Sequence, residues 1–330
     1  MRLTLYKIAR LTAGFFLVAC LGGCAIFIPQ TEALRQTLPK ELPESIELGN
    51  VPFFPQKEYQ CGPAALAMVL ADKGIKVTPD DLVSQVYLPA RQGSLQIEML
   101  AAARRYGMVS YRLAPQLKDL LQEVAAGNPA IILQDYGMWP FHIWHYAVAV
   151  GYDYKKSELL LRSGEKLRLT MPFAVLEYLW KESDYWAMVV VPPNRIPATA
   201  NESSYLEAVS AVEHGGNSDA ARQAYTTLLE RWPDNQAAAI GLANILYSMG
   251  KLEEAELTLR RAADSHPESV PLLNNLAQTL SDQGHNVEAL ALIERASALG
   301  GTLAAAVQET KQLILTRISK TGKPMQQHNR

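Results

Sequence analysis

The chain has 330 residues, 48% apolar and 19% charged, with a formal net charge of −2 at pH 7. That length predicts two or more domains with enough apolar side chains for real cores. The near-neutral balance has no basic block and no acidic run, which argues against a nucleic-acid footprint and against a solvating tail.

The first residues read as a targeting segment. Arg2, Lys7 and Arg10 precede LTAGFFLVACLGG, an apolar run too short to cross a bilayer comfortably. It ends in Leu21-Gly22-Gly23-Cys24. Charge, apolar run and box in this order resemble the bacterial lipobox, which is cut before a cysteine that carries the lipid. The resemblance makes residues 1–23 a lipoprotein signal and Cys24 the lipidated residue. Leu17-Val18-Ala19-Cys20 also fits, but a cut there leaves a very short apolar core. Ala25 rather than Asp follows Cys24, which implies the outer membrane, periplasmic side, with membrane attachment through the lipid. The competing reading is an uncleaved anchor helix. With Cys20 removed and Cys24 a thioether, Cys61 is the one free thiol of the mature chain.

Residues 24–47, with Pro29, Pro39 and Pro43 and little periodicity, read as a tether holding the next domain off the membrane. Residues 48–192 alternate helical and strand patterns. PAALAMVLADK is a helix, with Pro63 suited to its first turn and Gly74 to its end. Thr78 caps a second helix, and Ser94 is expected to cap a third, LQIEMLAAARRY, closed by Gly107. VSYRL is a short strand and QLKDLLQEVAAG an amphipathic helix. PAIILQD, WHYAVAVGYD, ELLLR and YWAMVVV follow as strands. Helices first and strands second predict an α+β domain with an antiparallel sheet.

Residues 193–204 form a Pro-containing linker that suggests some independence of the flanking domains. Beyond it, Gly216, Gly250 and Gly284 recur every 34 residues, as do Ala221, Ala255 and Ala289. Pro233 and Pro267, and Leu242 and Leu276, keep the same spacing. Small Ala lets antiparallel helices approach closely, Gly closes the first helix and Pro follows the second. The period resembles the tetratricopeptide repeat. Residues 205–318 are read as three repeats plus a capping helix, and 319–330 as a disordered tail. The first repeat is the weakest, with Ala208 and Val209 at its consensus positions.

The chemistry centres on EYQCGPAALAMVLADKG, residues 58–74. A helix starting beside Cys61 aims unpaired N–H groups at it, which is expected to lower the thiol pKa and prepare a nucleophile. A base is then needed. Only His142 and His145 lie in this domain. Strand alternation puts His145 on the face of Ala147 and Ala149, whose small side chains would leave room for the helix terminus. His142 has the opposite parity. No His/Cys/carboxylate cluster has metal spacing, and no cofactor is called for. An oxyanion donor is also needed. The Gln56 amide, with the backbone N–H of Cys61, is the candidate; Gln60 is adjacent to the thiol and projects away.

FPQKEYQCGPAALAMVL together with HYAVAVGYD resembles the papain-like double-glycine peptidases that process bacteriocin leaders, and their stand-alone relatives. The specific parts are Gln56-x4-Cys61-Gly62-Pro63 and His145-Tyr146-x-Val148. The resemblance implies an α+β papain-like cysteine peptidase domain followed by an all-α tetratricopeptide-repeat solenoid. It implies Cys61 as nucleophile, His145 as general base, Gln56 in the oxyanion hole, and cleavage after small residues. The family's Asp-Pro, whose Asp orients the imidazole, is replaced here by Arg162-Ser163-Gly164. Ser163 and Asp135 are both candidates for the orienting role. Tyr136, Trp139, Phe141, Trp144 and Tyr146 form a loop read either as a substrate wall or as a hydrophobic plug. Partners would be a peptide or protein substrate and a protein held by the repeats. The alternative function is a weak or inactive scaffold in an envelope or polysaccharide assembly. Transglutaminase- or amidase-like chemistry would use the same residues.

Overall fold

The computed structural model describes residues 28–36 and 42–321; Cys20, Cys24 and most of the expected tail lie outside the described residues. The first domain contains α1 (Pro29–Gln36), β1 (Ser45–Glu47), α2 (Cys61–Asp72), α3 (Pro79–Val86), β2 (Tyr87–Leu88), β3 (Gly93–Ser94) and α4 (Gln96–Arg105). It continues with β4 (Val109–Arg112), α5 (Leu117–Ala125), β5 (Ala130–Asp135), β6 (Trp144–Asp153), β7 (Glu158–Ser163), β8 (Lys166–Pro172), α6 (Phe173–Trp180) and β9 (Ala187–Val191).

The antiparallel sheet has the order β4-β9-β5-β6-β7-β8, and β1 pairs with β6 at Gly151–Asp153, beyond the last residue that β5 covers. Period-2 alternation sorts the side chains to two faces. Ile131, Leu133, Tyr146, Val148 and Val150 face α2, α3 and α4, while Ala130, Ile132, Ala147 and Ala149 face α5 and α6. Helix α2 is buried from Cys61 to Leu70. A helix that is apolar all round belongs in the interior. Each fully buried Leu or Val there contributes about 1.5–3 kcal/mol.

The second domain is a run of helix pairs: α7 (Glu202–His214) with α8 (Ser218–Arg231), α9 (Gln236–Ser248) with α10 (Leu252–Ser265), and α11 (Val270–Asp282) with α12 (Asn286–Leu299). The added helix α13 (Ala304–Thr321) packs on α11 and α12. Successive pairs start 34 residues apart. Ala221, Ala255 and Ala289 are fully buried where the helices of each pair meet. Residues 319–321, read as the start of the tail, are the last turn of α13.

Four local expectations are corrected. The tether is not free: Glu177 accepts the backbone N–H groups of Gln30 (2.9 Å) and Thr31 (2.7 Å), and Leu34 is buried. A carboxylate at a helix N-terminus satisfies donors the helix itself cannot. Ser94 does not cap α4. It is tied into the β2–β3 ladder opposite Tyr87, and Leu95 takes the cap position. Helix α2 does not lie over Ala147 and Ala149; those residues face α5 and α6, and α2 covers Tyr146, Val148 and Val150.

The fourth correction concerns the linker, which packs against both domains. Glu123, fully buried, accepts the backbone N–H and the hydroxyl of Thr199 (both 2.7 Å) and the Asn128 amide (2.7 Å). Tyr111 bonds Ser204 at 2.8 Å, and α7 packs on the outer strand β4. One apolar cluster runs from the sheet into the repeats. Glu123→Ala is expected to cost about 2–3 kcal/mol, because buried donors lose their acceptor. Urea unfolding of the full chain checks it, and an unchanged midpoint would show that this junction carries no stability.

Candidate functional site

Cys61 is the first residue of α2 and opens on a cleft of about 700 Å³. Ser94, Leu95, Leu133 and Tyr146 line it, as do the charged residues Arg91, Glu182 and Asp184. The close approach of the β2–β3 ladder to the helix start depends on Gly62. A Cβ there would lie 2.2 Å from Ser94 Oγ and 2.6 Å from Ser94 Cβ. Gly62→Ala must therefore displace Ser94 or the helix start. An overpacking cost of about 1–3 kcal/mol is expected, with lower reactivity of Cys61 toward iodoacetamide; a variant with wild-type melting and alkylation would refute the contact.

The expected depression of the Cys61 pKa is not found. Burial pushes the thiol up, and the backbone N–H groups of Tyr146, Gly62 and Cys61 itself offset this only in part. Desolvation penalises the thiolate more than the helix start favours it. Burial likewise pushes His145 below its ordinary value. The pair at rest is therefore a neutral thiol and a neutral imidazole.

His145 stands at the start of β6, opposite Gln134 of β5. Its Nε2 lies 2.8 Å from Ser163 Oγ, and the Tyr136 ring meets it edge-on at 5.6 Å. The ring is not hydrogen-bonded to the Cys61 sulfur; the amide of the next residue, Tyr146, is what reaches the thiol. Gln56 is half-buried, and its backbone N–H donates to Gly164 O at 3.1 Å, in the turn after Ser163. Gln56, Ser163 and His145 thus gather at the β7–β8 turn, outside the cleft wall that Cys61 shares with Ser94 and Tyr146. Gln60 lines a separate hollow with Phe54, Pro55 and Asp80.

Asp135 does not reach His145. It closes the following loop instead. Its Oδ1 accepts the N–H groups of Gly137 and Ile143 (both 2.8 Å), and its Oδ2 lies 2.5 Å from His142 Nδ1. Burial would raise its pKa, but these hydrogen bonds outweigh burial and hold it below the usual carboxylate range. His142 in turn stacks on Trp144 at 5.3 Å. The plug reading of the aromatic loop fails, because Tyr136, Trp139, Phe141 and Trp144 are exposed and only Tyr146 is buried. His142, Ile143 and Trp144 form part of the cleft wall. Sequence reasoning missed Ser94 as a wall residue because its place follows from a two-residue ladder with no pattern of its own. The role of Tyr146 beside the thiol was legible only in its position next to His145.

Residues 48–163 match the Peptidase_C39 like family, and residues 215–269 match the tetratricopeptide repeat. The chain thus joins an α+β domain that matches the C39-like peptidases to a run of helices that matches the tetratricopeptide fold. No curated protein matches the chain. Among solved structures, a putative C39-like peptidase from Bacillus anthracis is 20% identical, with 45% of this chain and 98% of that chain covered and a TM-score of 0.39. A double glycine motif protease from an AMS/PCAT transporter, solved with its leader peptide, is 25% identical over 43% of this chain and 91% of that chain, with a TM-score of 0.34. The TPR2B domain of yeast Sti1, in a pHsp70 complex, is 16% identical over 35% and 97%, with a TM-score of 0.34.

Proposed function

We propose that this chain is a cysteine peptidase anchored by a lipid on Cys24 to the periplasmic side of the outer membrane. The supporting observation is the placement of Cys61. It begins a buried helix, opens on a cleft of about 700 Å³, and accepts a hydrogen bond from the amide that follows His145. With Nε2 protonated, His145 donates to Ser163 Oγ, and Nδ1 is left to accept a proton. Ser163 is therefore the orienting residue in this reading. His145 takes the thiol proton as Cys61 Sγ attacks the scissile carbonyl carbon, and returns it to the leaving amine. A thioester remains, and water assisted by the same imidazole hydrolyses it. The Gln56 amide and the Cys61 N–H hold the oxyanion. In the resting structure the imidazole is not bonded to the sulfur and shares its strand face with Ala147 and Ala149, away from α2, so this step requires the start of β6 to turn the ring toward Cys61 when substrate binds. The resemblance to the double-glycine peptidases suggests small residues before the scissile bond. The concave side of the repeats holds a protein substrate or partner.

A peptidyl electrophile ending in Gly-Gly tests the reading. It is expected to label the wild-type chain and to leave Cys61→Ala unlabelled; equal labelling of both sinks it. A second reading, a binding scaffold, is favoured by one observation: the thiol is pushed up by burial while the imidazole bonds a neutral hydroxyl. A thiol titration that ignores removal of His145 would support that scaffold.

A further inference from the structure

The segment between β5 and β6 exposes apolar side chains to an unusual degree. Trp139 is 87% exposed, Phe141 80%, Met138 78% and Ile143 62%. Hydrophobic residues scattered singly on a surface need no explanation, but a contiguous patch does. This patch is not a loose loop. A Met138–Phe141 bridge closes it, and the Asp135 carboxylate ties both of its ends through Gly137 and Ile143. Holding such side chains in water on a fixed support costs free energy unless something covers them. From Tyr136 to Trp144 the only ionisable side chains are Tyr136 and His142, and His142 is held by Asp135. Whatever covers the tip meets aromatic and aliphatic groups without fixed charge.

The course of the N-terminal chain identifies the occupant. Helix α1 begins at Pro29, and the Gln30 side chain donates to Pro115 O and bonds Tyr185. Tyr185 precedes β9, and its neighbour Ser183 bonds Leu133 O near the end of β5. The chain therefore enters the domain at the sheet end where β5 finishes and β6 starts, which is the end that carries the apolar hairpin. Cys24 is five residues before Pro29, no more than about 18 Å of extended chain. A domain held that closely cannot stand off from the surface to which Cys24 is attached.

We propose that the 137–143 hairpin docks into the membrane interface, with Trp139, Phe141 and Met138 among the lipid headgroups and upper acyl chains. Aromatic side chains favour that layer, and an apolar contact there adds to the hold of the lipid on Cys24. This inference rests on the lipid anchor of the proposed function, and its test does not depend on catalysis.

The test uses the full lipidated chain in phosphatidylethanolamine–phosphatidylcholine vesicles whose acyl chains are brominated near the headgroup. Trp139 is one of five tryptophans, so wild type is compared with Trp139→Phe. Brominated lipid is expected to quench the wild type more than the variant, and aqueous iodide to quench the Trp139 share less in vesicles than in detergent-free solution. With no fixed charge at the tip, 1 M salt should not abolish the difference. Equal bromolipid quenching of the two chains, when both float with the vesicles, overturns the docking and leaves the hairpin to water or to a polypeptide. A chain that does not float overturns the anchor and this proposal together. Peptidase activity enters neither readout.

Discussion

A His145→Ala chain is expected to lose about three orders of magnitude in kcat/KM on a peptide substrate at neutral pH. Positioned general acid–base groups contribute roughly 10²–10⁴-fold, and the state of Cys61 puts this case toward the high end. An unperturbed thiol is only about 3% thiolate at pH 7. Burial moves Cys61 further from ionisation, so the sulfur depends on a base at the moment of attack. Burial also lowers His145, so the imidazole is neutral and able to accept a proton down to pH values below the ordinary histidine range. The wild-type rate should therefore rise through an acid limb set by that lowered value and then level. The variant should lack the acid limb. Its residual rate should climb about tenfold per pH unit toward the raised thiol value, so that the gap narrows in alkali without closing, because the variant still lacks the acid that protonates the leaving amine. A pH profile of kcat/KM for both chains measures this, and indistinguishable profiles would rule out His145 as the base.

The parts of the molecule that were legible in the sequence are those with a repeating physical cause. The 34-residue spacing of Gly216, Gly250 and Gly284 reports how helix pairs stack, and each of these glycines has a positive φ in the structure. WHYAVAVGYD reports a strand buried on both faces, as nearly all of it is. KLRLTMP carries no strand signal, because β8 is an outer strand with five of seven side chains exposed and so has no apolar run. FAVLEYLW carries no clear helical period, because α6 is only eight residues long and follows a proline. The site divides in the same way. Cys61 and His145 stand out by residue type at the ends of strongly patterned elements. The direction of the thiol pKa did not follow from position, because it depends on how much of the sheet and of α4 covers the helix start. Nor did the choice between Ser163 and Asp135. Both sit at strand ends, and only the register of the β6–β7–β8 hairpins decides which one meets the imidazole.

Ser163→Asp is expected to convert the neutral pair toward an ion pair. The hydroxyl at 2.8 Å fixes the ring but adds no charge to oppose that of an imidazolium. An opposite charge at such a distance shifts a neighbouring group by about 1–3 pKa units, and here the carboxylate would raise His145. A more basic imidazole takes the thiol proton more readily, so the pH at which Cys61 alkylates with iodoacetamide should fall by about one unit or more. Ser163→Ala should do the reverse of fixing the ring. Alkylation of the thiol would keep its raised midpoint, and kcat/KM would drop about 10- to 100-fold through loss of the productive ring orientation. The two substitutions at one position therefore separate charge from orientation. The new carboxylate would stand at a nearly buried position and carry a desolvation cost, so melting is measured alongside alkylation. An alkylation midpoint that stays at the wild-type value in Ser163→Asp, in a chain that melts normally, would mean that His145 and Cys61 do not exchange a proton. The neutral serine would then be part of a binding surface rather than a weakened catalytic support.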